Sequence, residues 1–526
     1  MCTREAAQPS PTAKREAGES LPAGRRIPAT MATQHPDNAS RAFWHDDEFI
    51  STLDEVEECY RSFHDLDCQE YMWDWEGKFV DEAVVDRLFN KYYDYFREQQ
   101  LGRDRFLTFR IPNIWKESGY RIARAYMGIL VAHDVAVDLG FTSSPVFEVI
   151  LPLTDSADKL LQIQQTYAKV ARHKCEIFET PSCGPTEINV IPLVETVEEL
   201  CASDKLLEDY TTQYRQTFGR ELAYVRPFIA RSDPALDAGF VPATLAAKAA
   251  LSVYAEFERR SGIRVYPIIG CGSLHFRGGV HPHAVQDFFQ TYPGIRTVTV
   301  QSGFRYDYPP EDVNRAVREL NEGLPRHQPR LLNDGQMAAI RDLIGIFSGE
   351  YRRTLAPLVD VVNDVARFVP GRRERILHTG KFGYWRTIKA TEAKLPRAIT
   401  FTACFYSLGI PPEVVGTGRG ILAAAKKGLL PVLEDLYPNL NAHLRQAGAF
   451  LNAENLGFLA KSAPAWREVQ TDVGIIQDYI GAQLGPETTE QFMHRNCVSD
   501  VFHLWKTGKD PRQEIVRAAR IRRSLG

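Results

Sequence analysis

The chain has 526 residues, 44% hydrophobic and 11% aromatic, which is enough apolar side chain to bury a large core and excludes a disordered or fibrous whole. At roughly 150 residues per domain, that length means three or four domains or one large barrel with additions. With 63 Lys+Arg against 67 Asp+Glu the net charge is −4, so no basic nucleic-acid-binding surface is expected and an anionic ligand must sit in a local Arg or Lys cluster.

No stretch reaches the roughly 18 consecutive apolar residues of a membrane helix. Even Tyr126 to Phe141 is interrupted by His133, Asp134 and Asp138, so a soluble chain with no membrane partner is expected. Nine scattered cysteines without a C-x-x-C pair suit a reducing cytoplasm.

Residues 1–30 are rich in Pro, Ala, Gly and charge and are expected to form a disordered leader, with Met31 as an alternative start. They hold no apolar run for a secretory signal, and Glu5, Glu16 and Glu19 disfavour a transit peptide. Beyond them, short β-branched runs alternate with polar loops and segments of helical period, the pattern of βαβ units. The expected strands are Ala32 to Pro36, Leu107 to Pro112, Val146 to Thr154, Ile188 to Thr196, Tyr224 to Asp233, Val265 to Ser273, Thr297 to Phe304 and Ile376 to Gly383. Their number matches a (β/α)8 TIM-type barrel. One helix is expected between Asp81 and Gln100, on the apolar stripe from Val84 to Phe96, and another from Val241 to a stop at Gly262. After Ala398 the pattern is almost wholly helical. The expected division is therefore a catalytic barrel over 31–397 and a helical C-terminal region over 398–526 packed on it.

In such a barrel the chemistry lies at the C-terminal ends of the strands. Those ends supply His35, Arg110, Glu195, Asp233, Arg277, Gln301 with Arg305, and Lys381 with Arg386. Two carboxylates on neighbouring strands, Glu195 and Asp233, suit a hard divalent ion such as Mg2+; the rival reading pairs Asp233 with Arg231 or Arg226 as a structural salt bridge. Arg277 lies in the glycine-dense loop from Gly270 to Gly279, where backbone N–H groups can approach an oxyanion and the guanidinium offers a forked donor. The stretch from Arg277 to His283 is the candidate lid. His281-Pro282-His283 resembles a zinc H-x-H pair, but Pro282 after two glycines points to the start of a helix instead. His35 ends the first strand, where an imidazole can move protons near neutral pH.

These motifs together resemble phosphoenolpyruvate carboxylase in its short, archaeal-type form. The resemblance rests on Thr33-Gln34-His35-Pro36-Asp37-Asn38-Ala39, Phe109-Arg110-Ile111-Pro112-Asn113, Pro192-Leu193-Val194-Glu195-Thr196, the segment Arg231 to Gly239, Phe276-Arg277-Gly278-Gly279, and Leu395-Pro396-Arg397-Ala398-Ile399. It implies carboxylation of phosphoenolpyruvate with bicarbonate to oxaloacetate and phosphate, with Mg2+ (or Mn2+) and without biotin, by a cytoplasmic homotetramer in an anaplerotic role. Carried over residue by residue, Glu195 and Asp233 look like metal ligands and His35 like the catalytic histidine. Arg277 looks like the bicarbonate-steadying arginine and Arg397 like a phosphate ligand, with Arg110 and Arg386 as further substrate contacts. Two departures stand out: Leu236 replaces a lysine of the long form, and one glycine-rich arginine loop stands where the long form has two. Two other functions stay open at this point. They are a Mg2+-dependent barrel lyase acting on a 2-oxo acid and a non-catalytic barrel serving as a scaffold or sensor.

Overall fold

The computed structural model describes residues 26–117, 119–178, 184–374 and 394–526, together with the backbone of 386–387. Eight parallel strands close into a barrel. They are β1 (Thr30–Thr33), β2 (Glu70–Asp74), β3 (Phe106–Arg110), β4 (Glu148–Leu151), β5 (Asn189–Val194), β6 (Phe228–Ala230), β7 (Ile268–Gly270) and β8 (Thr297–Val300). Each strand pairs with its neighbours in sequence, and β8 returns to β1 with Val298 opposite Thr30. Helices such as Tyr120–Asp138, Ala157–Phe178, Ser203–Phe218 and Phe240–Ser261 follow the strands.

The expected barrel is present, with three differences from the sequence reading. The eighth strand is β2, whereas Ile376 to Gly383 lies outside the described residues. The expected strands Tyr224 to Asp233 and Val265 to Ser273 are each broken into two pieces. Tyr224–Val225 pairs with Arg264–Val265 as a separate ribbon, and only the second halves enter the barrel. The breaks fall at Pro227 and Pro267, which lack an N–H for the ladder. The helix expected between Asp81 and Gln100 is interrupted at Tyr92, which leaves helical geometry and stacks on Tyr60 with ring centroids 3.8 Å apart. The helix from Phe240 does stop at Gly262, which is left-handed at φ 74°.

The barrel interior is layered. At its base Arg226 is held by Glu70 and Glu148 at 2.7 Å each and donates to Thr297 at 3.1 Å, an ion network fully out of water. Above it lies an apolar layer that includes Met31, Met72, Ile191, Phe228 and Ile268. The strand ends above that layer carry the polar residues of the site.

A second core forms where the C-terminal helices pack. It joins Phe401, Phe405 and Trp466 to residues of the preceding chain such as Phe347, Leu236 and Phe276. Leu236 is 3% exposed in that core. Among the described residues no single helix is long and apolar enough to cross a membrane. Among the described residues six cysteines are free thiols and Cys175 is disulfide-bonded.

Candidate active site

A cavity of about 430 Å3 opens at the C-terminal ends of the strands and is lined by His35, Glu76, Arg110, Asp233, Arg277 and Arg397 among others. Of the residues singled out from sequence, His35, Arg110, Asp233, Arg277 and Arg397 thus meet in one space. Glu195, at the end of β5, is buried beside it and contributes to the field that keeps Arg110 charged. Arg386 pairs through its backbone with Leu395 in a two-stranded ribbon, and its side chain lies outside the described residues, as does Lys381.

His35 stands two residues past β1, which ends at Thr33 rather than running on through Pro36 as expected. Thr33 Oγ1 lies 2.8 Å from His35 Nδ1 and fixes the ring. The segment after it is clamped: Arg372 donates to the carbonyls of Asn38 and Ala39, and Asp307 accepts the N–H groups of Ala39 and Ser40. Burial pushes the Asp307 carboxyl up to about 7 against those hydrogen bonds.

Arg110, the last residue of β3, forms two parallel hydrogen bonds to Asp74 at the end of β2, at 2.9 and 2.8 Å. Glu76 lies 3.2 Å from its third nitrogen. Burial alone would lower the guanidinium pKa, but Asp74 and Glu76 outweigh it and hold the group charged.

Arg277 is 1% exposed and nearly saturated. Nε donates to Ser232 Oγ at 3.1 Å, Nη1 to Asp37 at 3.0 Å and to the Gly526 carbonyl at 2.6 Å, and Nη2 to Gln301 at 2.6 Å. Those bonds take four of the five N–H donors of an arginine. The glycines around it serve packing. A Cβ on Gly272 would fall 2.6 Å from Arg277 Nη1, and Gly278, at φ 120°, would meet Cys271 Sγ at 2.4 Å.

The expected oxyanion cradle of backbone N–H groups is not what this loop forms. Gly272, Arg277, Gly278, Gly279 and Val280 all donate to carbonyls within the loop, and the Phe276 N–H donates to Glu413. In the stretch expected as a lid, Arg277 to His283, the part from Arg277 to Val280 is buried and bonded within the loop. His281 and His283 both contact the Tyr308 ring, the His283 ring also lies 2.8 Å from Asp312, and they precede the helix Val285–Thr291, as the start of a helix expected there requires.

Glu195 and Asp233 supply hard carboxylate oxygens, a set suited to a divalent cation that keeps open positions for water and substrate. Among the described residues no cluster of three or more His, Cys, Asp or Glu is placed to hold a metal ion. The salt-bridge rival for Asp233 finds no support. Arg226 serves the base of the barrel, and Arg231 donates to Tyr292 at 2.9 Å and Thr244 at 2.8 Å. Asp233 lies in the first turn of the helix Ser232–Ala238, just past the end of β6. Leu153 donates its N–H to Glu195 Oε1 at 3.1 Å from a left-handed backbone, φ 52°, unusual for a leucine.

Sequence reasoning missed Asp37, Asp74 and Glu76, and it misplaced Arg305. That arginine turns away from the cavity to Glu58, at 3.0 Å, and the Thr33 carbonyl. The signal for Asp74 and Glu76 was Trp73-Asp74-Trp75-Glu76, an acid pair alternating with aromatics at the end of the unrecognised β2.

A family model described as phosphoenolpyruvate carboxylase matches residues 27–526. The phosphoenolpyruvate carboxylase of Leuconostoc mesenteroides is 40% identical over 482 residues, 91% of this chain and 95% of its own. Those of the archaea Methanothermobacter thermautotrophicus and Metallosphaera sedula are 39% and 36% identical, covering 82% and 95% of this chain and 88% and 100% of theirs. The crystal structure of RipC from Yersinia pestis overlaps at a TM-score of 0.27 and 16% identity, too weakly to bear on the fold. With its family model spanning the barrel and the C-terminal helices alike, the chain belongs to the phosphoenolpyruvate carboxylases, a family of carboxy-lyases.

Proposed function

We propose that this chain carboxylates phosphoenolpyruvate with bicarbonate, giving oxaloacetate and inorganic phosphate. The observation that carries the reading is the family match over residues 27–526. Arg110, Arg277 and Arg397, three of the six arginines that line the cavity, add to it, since a phosphate and a carboxylate need several guanidinium groups where a 2-oxo acid alone needs one. That surplus favours the carboxylase over the lyase and sensor alternatives.

In this scheme a bicarbonate oxygen attacks phosphorus, the bond from phosphorus to the enol oxygen breaks, and carboxyphosphate and the enolate of pyruvate result. Arg110 and Arg397 neutralise the phosphoryl oxygens, and the one remaining Arg277 donor steadies bicarbonate. His35 then takes the carboxyl proton of carboxyphosphate, which splits into CO2 and phosphate, and the enolate carbon captures CO2. Thr33 holds the ring through Nδ1, so Nε2 is the atom that handles the proton. A divalent cation on Glu195 and Asp233, Mg2+ or Mn2+, would supply Lewis-acid stabilisation of the enolate oxygen. No step uses biotin.

A cytoplasmic, anaplerotic homotetramer belongs to the same proposal, as does the division into a leader (1–30), a catalytic barrel (31–397) and a helical region (398–526). The test mixes purified protein with phosphoenolpyruvate, bicarbonate and Mg2+, and follows oxaloacetate by coupled NADH oxidation and phosphate in parallel. Equal yields of the two, lost with EDTA or without bicarbonate, are expected; oxaloacetate without phosphate would favour the lyase.

A further inference from the structure

The two arginines assigned above to the phosphate already share an acid. Glu76 lies just past the end of β2, lines the cavity and is 7% exposed. One carboxylate oxygen is 3.2 Å from Arg110 Nη1 and the other 4.0 Å from Arg397 Nη2. The backbone of each arginine, and the guanidinium of Arg110, is set without that acid. Arg110 is gripped by both oxygens of Asp74, and Arg397 is the residue that starts the helix Ala398–Ser407. The backbone of Glu76 is fixed in turn by its own N–H to Asp74 Oδ1 at 3.0 Å.

A carboxylate set between two guanidinium groups has the sign and the paired acceptors of one edge of a phosphate. It cancels the mutual repulsion of two cations facing one cavity. A phosphate arriving with nearly two negative charges meets that acid as a like charge at short range, where a partly buried site screens the repulsion less than water does. The acid therefore has to swing aside or lose part of its contact before the phosphate is fully held.

We infer that Glu76 is a placeholder for the substrate phosphate, holding its position between Arg110 and Arg397 before substrate arrives and weakening phosphate binding enough for product release. The inference rests on the carboxylase reading and adds to it a residue that sets anion affinity. A purely structural acid would behave in the opposite way, because its removal would loosen the arginines and weaken binding.

The test measures inorganic phosphate binding by calorimetry on Mg2+-loaded wild type and Glu76→Gln. It also determines KM for phosphoenolpyruvate, kcat and product inhibition by phosphate. The variant is expected to bind phosphate about tenfold more tightly, with a lower KM, stronger product inhibition and a reduced kcat. Unchanged or weaker phosphate binding in a folded variant overturns the inference. Should Glu76→Gln fail to fold, Glu76→Asp, which withdraws the carboxylate by one methylene, is expected to tighten phosphate binding to a lesser degree, and no tightening overturns the inference equally. The two readings separate cleanly. If wild type carboxylates and neither variant binds phosphate more tightly, the placeholder alone fails. If phosphate binding tightens in a chain that makes no oxaloacetate, the carboxylase reading alone fails.

Discussion

Arg277 Nη1 donates to the carbonyl oxygen of Gly526 at 2.6 Å, a bond between residues 249 apart in sequence. Gly526 fits that place because it has no side chain. A Cβ there would lie 2.0 Å from the Ile399 carbonyl oxygen and 2.7 Å from the Ala403 nitrogen. Gly526→Ala must therefore shift the chain end away from the helix Ala398–Ser407 and release one of the bonds that aim Arg277. Turnover is expected to fall by about tenfold to 100-fold, with little change in melting temperature, as misplacement of a positioned group commonly does. Steady-state kinetics beside a thermal melt checks this, and unchanged kcat would contradict it.

His35→Asn should keep phosphoenolpyruvate binding within about threefold while oxaloacetate formation falls by roughly 100-fold or more, the usual scale for losing a general base. Phosphate release should fall less than oxaloacetate formation, since attack on phosphorus precedes the proton transfer. A variant with full carboxylation would remove His35 from the scheme.

Glu195→Gln and Asp233→Asn each replace a carboxylate by a weaker neutral donor. Both are expected to raise the Mg2+ concentration needed for half-maximal activity by about tenfold or more, read from a metal titration. In the first variant the Leu153 N–H can still donate to the side-chain amide carbonyl that takes the place of the Glu195 carboxylate, so the local fold should survive. Metal dependence unchanged in both would place the cation elsewhere.

Glu413 reaches from the C-terminal region to accept the Phe276 N–H at 2.8 Å and the Tyr406 hydroxyl at 3.0 Å. Burial pushes its carboxyl up to about 7 from an ordinary 4.5, as it does Asp307 from 3.8. The folded chain thus holds protons at these groups that the unfolded chain has released between about pH 4 and 7. Their stabilising contribution is complete below the unfolded values and is lost as pH rises to about 7. Glu413→Gln keeps an acceptor for Phe276 and removes the titration, so its melting temperature should gain on wild type between pH 5 and 8. A difference constant with pH would refute the assignment.

Arg226→Met leaves Glu70 and Glu148 buried at the base of the barrel without their cation. Removing one partner from a buried ion network costs about 3–5 kcal/mol. A large drop in the denaturation midpoint is expected, with near-normal phosphate affinity in the molecules that remain folded. Loss of affinity without loss of stability would put Arg226 in the site.

The barrel and most strand-end residues were legible in the sequence because parallel strands buried on both faces read as β-branched runs and their ends read as polar breaks. What escaped were residues whose reason lies in a distant partner. β2 went unrecognised because acids stand at both its ends, and each acid answers an arginine distant in sequence: Glu70 to Arg226 and Asp74 to Arg110. The hidden breaks at Pro227 and Pro267 were visible as prolines but only the closed barrel shows that the ladder starts after them. The glycine loop misled in a similar way. Its glycines signalled close approach correctly, yet the approach is to Arg277 and Cys271 rather than to a ligand.

The central claim is that bicarbonate attacks the phosphorus of phosphoenolpyruvate in this cavity. Turnover with bicarbonate labelled with 18O in every oxygen, followed by mass spectrometry of the phosphate, tests it most directly. The account predicts one 18O atom in each phosphate formed, because the attacking oxygen stays on phosphorus when carboxyphosphate splits. Unlabelled phosphate formed alongside oxaloacetate would contradict it.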